Sequence, residues 1–131
     1  LLERELKEFD VTTKQWFLSE TISSVFDHPP TLKEAASAMG SSHQNVKQVA
    51  MKLQQKGLLS LEKDKNDARA TRLYMTEKSG SFWKKTDPKG GSFREKMFKE
   101  MGENDISLVR QSLEKILSNL REIENTKAYQ E

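Results

Sequence analysis

Residues 31–59 read TLKEAASAMGSSHQNVKQVAMKLQQKGLL, and this stretch decides the fold. Thr31-x-x-Glu34 is a capping box, in which a hydroxyl and a carboxyl three residues apart satisfy orphan N–H groups at a helix start. The helix it predicts runs through Met39, and Gly40 supplies a left-handed stop. Ser41-x-x-Gln44 reads as a further box, opening a helix that continues to Lys56 and ends at Gly57. Two helices joined by so tight a turn need small or apolar residues where they touch. Ala36 stands at that contact, Gly40 makes the turn, and Val46 and Val49 face back into the core. These residues meet the steric demands of a helix-turn-helix, although by themselves they fit an ordinary helical hairpin equally well.

The outward face of the second helix tips the balance. Ser42, His43, Gln44, Asn45, Lys47, Gln48 and Lys52 are almost all hydrogen-bonding, and residues 41–56 contain no Asp or Glu. A merely solvated face mixes Glu with Lys, whereas a face without acid suits an approach to phosphates. Asn and Gln read adenine edges in pairs of hydrogen bonds, and Lys47 and Lys52 reach phosphate or guanine. After Gly57 the period changes. Residues 58–62 and 72–76 are short apolar runs flanking a polar, turn-forming loop, which predicts a β-hairpin. Lys63, Lys65, Arg69 and Arg72 put further positive charge on it. A winged helix-turn-helix is the leading reading.

Helix signals extend to both sides. Leu2, Leu6 and Phe9 share a helical spacing, Thr12-x-x-Gln15 is another capping box, and His28-Pro29-Pro30 ends the helix it starts. Helix resumes near Thr76, and Asp87-Pro88-Lys89-Gly90-Gly91 should break it before Ser92-x-x-Glu95 caps the next one. From about Asn104, Ile106, Val109, Leu113, Ile116, Leu120 and Ile123 recur at alternating steps of three and four. That heptad seam, flanked by Leu117 and joined by Leu2, Leu6 and Phe9, is expected to pair two copies of the chain. The expected fold is mainly α: a winged helix-turn-helix lobe over residues 31–80 with a two-stranded wing, plus N- and C-terminal dimerisation helices over 1–30 and 81–131. All of it is expected to form one domain, residues 1–131.

Composition sets the outer bounds. The 131 residues are 34% hydrophobic and 32% charged, with a net charge of +2. The charge is unevenly spread: residues 31–80 carry nine basic and five acidic side chains, a surplus that coincides with the helix-turn-helix and hairpin. The absence of cysteine excludes disulfides, thiolate metal sites, thiol nucleophiles and thiol redox sensing. No apolar run approaches the roughly 18 residues of a membrane span, no signal peptide is visible, and an intracellular, cytoplasmic protein is expected. The chain begins at Leu1, not Met, which leaves an upstream start open.

The string just quoted, followed by KDKNDARATRLYMTEKSG at residues 63–80, resembles the multiple antibiotic resistance regulator (MarR) family of bacterial transcription factors. In that family the wing carries Asp-x-Arg before a strand ending in Leu-Thr-x-Lys-Gly, and Asp67-Ala68-Arg69 and Met75-Thr76-Glu77-Lys78-Ser79-Gly80 look like those elements. Met75 in place of Leu, and Ser79, either inserted before the expected Gly or replacing it, are departures, as is the expected break at 87–91 where the family runs one long helix. The resemblance implies that Arg69 enters the minor groove at the wing tip, oriented by Asp67. It implies an intertwined homodimer on a pseudo-palindromic operator. It also implies a small aromatic or anionic effector in a cleft for which Trp16, Phe17, Phe82 and Trp83 are candidates, the alternative being that they are plain core.

No cofactor or metal is expected, since only His28 and His43 are present and His43 lies on the outward face. An enzyme is disfavoured because no Gly-rich phosphate loop or Ser-His-Asp pattern appears. The competing class is a winged-helix protein-interaction module that binds no DNA.

Overall fold

The computed structural model describes residues 2–128. A short helix α1, Leu2–Leu6, runs into a single 3-10 turn, Lys7–Phe9, and the chain reverses at Asp10 with φ 55°. Helix α2, Thr13–Val25, begins at the expected box: Thr12 Oγ1 accepts from Gln15 N at 3.1 Å and Gln15 Oε1 from Thr12 N at 3.3 Å. Helix α3, Leu32–Met39, carries the second complete box, with Glu34 Oε2 2.8 Å from Thr31 N. Gly40 closes it at φ 62°, in the left-handed region where a Cβ is strained, and the next N–H returns to the Ala36 carbonyl at 3.0 Å.

Helix α4, His43–Gln55, starts one residue later than expected. Its N-cap is Ser42, whose hydroxyl accepts from Asn45 N at 3.2 Å, so the Ser41/Gln44 box does not form. With Gly40 in the turn, the extended dihedrals that an N-cap needs fall on Ser42 (φ −74°, ψ 151°).

Strands β1, Leu59–Lys63, and β2, Thr71–Met75, pair antiparallel with Leu61 opposite Leu73. The segment before α3 extends this ribbon: Leu73 N donates to the Pro30 carbonyl at 2.8 Å, and Thr31 bridges Arg72.

Helix α5, Glu77–Met97, corrects the expected break. It runs through Pro88, and Ser92 stands in its interior, not at a new start. Proline removes one hydrogen bond and crowds the preceding turn, at a cost of about 3 kcal/mol. Side chains anchored on both sides of it offset that cost. Thr86 is 1% exposed, Phe82 and Trp83 pack on the core before it, and Phe93 packs beside Leu2, Leu6 and Val11 after it. Helix α6, Glu103–Ala128, is the last element, and the Asp105 carboxylate accepts from Gly102 N at 3.0 Å at its start.

The chain divides into two compact units, one up to Phe93 and one from Arg94 onward. In the first, Leu18 and Ile22 of α2, Leu32 and Ala36 of α3, Val46, Ala50 and Leu53 of α4, and Leu58, Leu59 and Leu73 around the ribbon form one core. A smaller cluster of Leu2, Leu6 and Val11 adjoins Trp16, Phe82 and Trp83. Val46 and Ala36 are buried as the helix-turn-helix contact requires, and Val49 is partly buried against them. In the second unit α6 presents Ile106, Val109, Leu113, Ile116, Leu117, Leu120 and Ile123, each between 40% and 56% exposed.

Candidate nucleic-acid interface

Burial on α4 alternates with helical period. Val46, Ala50 and Leu53 point inward, and His43, Gln44, Asn45, Lys47, Gln48 and Lys52 stand exposed on the other side with the N-cap Ser42. This is a consequence of packing: the three buried side chains fix the rotation of the helix about its axis, so the polar set faces out as a group. No acidic side chain interrupts that face.

The wing is organised by two aspartates. Asp64 Oδ1 accepts from Asn66 N at 2.7 Å and Asp67 N at 3.0 Å, which folds the loop back on itself. The Arg72 guanidinium beside Asp64, aided by these two N–H groups, holds its carboxyl below the usual carboxylate range. Asp67 Oδ1 accepts from Arg69 N at 3.1 Å and lies 3.3 Å from Arg69 Nε. That pair aims the Arg69 side chain outward, where it is 93% exposed. Lys63 and Lys65 are exposed beside it.

Arg72 has a different place from the one its charge suggested. Its Nε pairs with Asp64 and its Nη1 donates to the Pro29 carbonyl at 2.7 Å, so two of its donors are engaged within the chain. It ties the wing to the loop before α3. The same loop carries His28, whose Nδ1 lies 2.9 Å from Asp27 Oδ1 and whose Nε2 lies 3.4 Å from Glu34 Oε2. The Asp27 carboxylate, and Glu34 after it, push the His28 imidazole above its ordinary value.

Of the four candidate cleft aromatics, Trp16, Phe82 and Trp83 are brought together and Phe17 is not. Phe82 meets Trp83 edge to face at 4.9 Å, and Trp16 faces Trp83 across a slot of about 60 Å³ also lined by Ser19, Ser23 and Thr86. Phe17 points to the other side of α2, toward Lys14, Met39, Val49 and Lys52. A pocket for a drug-sized ligand is about 300–1,000 Å³, so the slot holds no such molecule in this conformation. Leu2 and Leu6, expected at a dimer seam, are 6% and 0% exposed within the chain's own core. Among the described residues, no helix is long and apolar enough to cross a membrane and no group of three acidic or histidine side chains is placed to hold a metal.

No family profile matches the chain. Solved structures do. S. aureus MepR in its DNA-binding conformation superposes with a TM-score of 0.78 at 19% identity, covering 90% of this chain and 86% of that one. A MarR protein from Peptoclostridium difficile gives 0.73 at 20% identity, over 90% and 76%.

The fold is that of the MarR-family regulators.

A curated relative agrees in sequence. The transcriptional repressor MprA of Escherichia coli is 26% identical over 104 residues, which is 79% of this chain and 59% of that repressor's length. Within the MarR fold, α3 and α4 are the helix-turn-helix and the β1–β2 ribbon is the wing. Two things lay beyond sequence reasoning. One is Gln54, whose Oε1 accepts from Leu61 N at 2.7 Å and joins the end of α4 to β1. The other is Lys56, which turns inward. Their polarity marked them as ordinary surface residues.

Proposed function

We propose that this chain is a sequence-specific double-stranded DNA-binding transcriptional regulator of the MarR family. It acts as a homodimer on a pseudo-palindromic operator in the cytoplasm, under the control of a small effector. The observation that carries the reading is the pairing of an exposed, acid-free α4 face with a wing arginine aimed outward by Asp67. A protein-binding wing has no need of either.

The division of labour follows from chemistry. Lys47, Lys52, Lys63 and Lys65 supply phosphate contacts and hence affinity, each steepening the salt dependence. Gln44, Asn45 and Gln48, with Ser42 and His43 at the helix start, discriminate bases in the major groove, at about 1–3 kcal/mol for each well-read pair. Arg69 enters the minor groove, where width and potential are read more than base identity. Two copies related by a twofold axis would meet half-sites about 34–36 Å apart. An aromatic or anionic effector would have to widen the slot between Trp16 and Trp83, and so move α2 against α5.

The test is titration of AT-rich duplex at several salt concentrations, with sequencing of genomic fragments retained by the protein. Tight binding whose logarithm falls steeply with log salt is expected, with one palindromic motif enriched. Arg69→Ala should lose about ten- to a hundredfold in affinity with its melting temperature unchanged, because the side chain is 93% exposed. Flat salt dependence, or full affinity in Arg69→Ala, would favour the protein-interaction module.

A further inference from the structure

We infer that Lys56 is a positioning residue for DNA binding, a latch that fixes the end of α4 to the junction of α1 and α2. This rests on the reading of α4 as the recognition helix. By sequence Lys56 is one more base in an acid-free stretch, next in line after Lys47 and Lys52. In the structure its Nζ donates to the Asp10 carbonyl and to Gln15 Oε1 at 3.0 Å, and lies 3.8 Å from Asp10 Oδ2. An ammonium has three N–H donors and no acceptor. Two of those donors go to oxygens of one short segment, and the Asp10 carboxylate adds a charge contact from the same segment, so the direction of the ammonium is set.

The segment it grips is itself rigid. Gln15 is 3% exposed, and the Oε1 that receives Lys56 also closes the capping box of α2. Asp10 is held at φ 55° in the reversal before that box. From the opposite side, Lys78 Nζ donates to the Lys56 carbonyl at 2.9 Å and Thr76 Oγ1 to the Gly57 carbonyl at 2.6 Å. The last turn of α4 is thus held both by the turn that leads into α2 and by the start of α5. The positive charge also lies at the negative end of the α4 dipole.

This matters because α4 is a lever. At 1.5 Å per residue a helix of this length spans about 20 Å, and a tilt of about 5° swings its far end by roughly 2 Å. Base-edge hydrogen bonds fail over such a displacement. Bonds from one ammonium to partners 46 and 41 residues away in sequence restrain that tilt, and they do so without touching DNA.

The full chain and its Lys56→Met variant are titrated against an AT-rich duplex of about 30 base pairs, long enough for two half-sites, at several salt concentrations. Hydrogen exchange is followed without DNA at the amides of residues 10–15 and 43–55. Lys56→Met should bind about tenfold more weakly or worse, with an unchanged slope of log affinity against log salt and faster exchange in both segments. Lys56→Arg should recover part of the affinity. A slope shallower by about one would put Lys56 on a phosphate and overturn the inference, as would unchanged affinity. Gln15→Met removes one of the two hydrogen-bond partners, and the box bond to Thr12 N with it, without removing charge. It should reproduce the loss, and the double variant should be no worse than the weaker single one. Additive losses would refute the latch; should Lys56→Met fail to fold, Gln15→Met alone carries the test, and unchanged affinity in it would refute the latch. Wild-type protein that binds no duplex would sink the DNA reading, and the positioning role with it, even where exchange shows the latch intact.

Discussion

If the proposed dimer forms through the exposed face of α6, replacing Ile116 and Leu120 together by Glu should abolish it without unfolding the chain. Ile106, Val109, Leu113, Ile116, Leu120 and Ile123 are 40–56% exposed, so about half of each side chain remains to be buried. Full burial of such a side chain contributes about 1.5–3 kcal/mol, which leaves about 1 kcal/mol for each, or roughly 12 kcal/mol for the seams of two protomers. Association costs about 4–15 kcal/mol. A cost near 5 leaves about 7 kcal/mol, a dissociation constant on the order of 10 μM. The double variant removes four apolar side chains from the dimer, about 4 kcal/mol, and weakens pairing about a thousandfold. Both positions lie on an exposed helix face and Glu is a good helix former, so far-ultraviolet circular dichroism should be unchanged. Sedimentation velocity from about 5 to 200 μM brackets the wild-type constant. A wild-type chain that stays monomeric throughout, or a double variant that still dimerises, would refute the assignment of this seam.

Three further expectations concern the unit that ends at Phe93. Leu53→Ala empties a site that is 0% exposed at the centre of the core and should cost about 2–5 kcal/mol, read as an earlier urea midpoint with unchanged slope. Pro88 is exposed inside α5, so Pro88→Ala should restore a helix hydrogen bond and raise the melting temperature; a fall would mean that the ring packs. The folded-state pKa of His28 lies above its ordinary value because of Asp27 and Glu34, so the folded chain binds the proton more tightly than the unfolded one. Its stabilisation is complete below the unfolded value and is lost as pH rises through the folded value. The melting-temperature difference between wild type and His28→Ala should therefore be larger near pH 6 than near pH 8.5; a reversed trend would contradict the two carboxylate contacts.

The fold was legible where its signals are short-range. Thr12 with Gln15 and Thr31 with Glu34 announce helix starts because both partners of each box lie within one turn. Gly40 announces a turn because its neighbours leave it a conformation that suits only glycine. The polar face of α4 could be read because burial of Val46, Ala50 and Leu53 follows from helical period alone. Errors arose where two local signals competed, as at Ser41 and Ser42, either of which could cap α4 until the geometry of the turn chose one.

Read along the chain, the sequence announced two helices about a tight turn, a basic hairpin after them, and the polar residues that the outward face of α4 offers. Composition and periodicity act along the chain, and these features are written along the chain. The tertiary structure decided which charges remain available. Arg72 is tied to Asp64 and to a carbonyl 43 residues away, and Lys56 to a segment more than 40 residues away. It also decided that Leu2 and Leu6 belong to the protomer's own core and that α5 passes through Pro88. In each case the deciding contact joins residues distant in sequence, so no local pattern could have specified it.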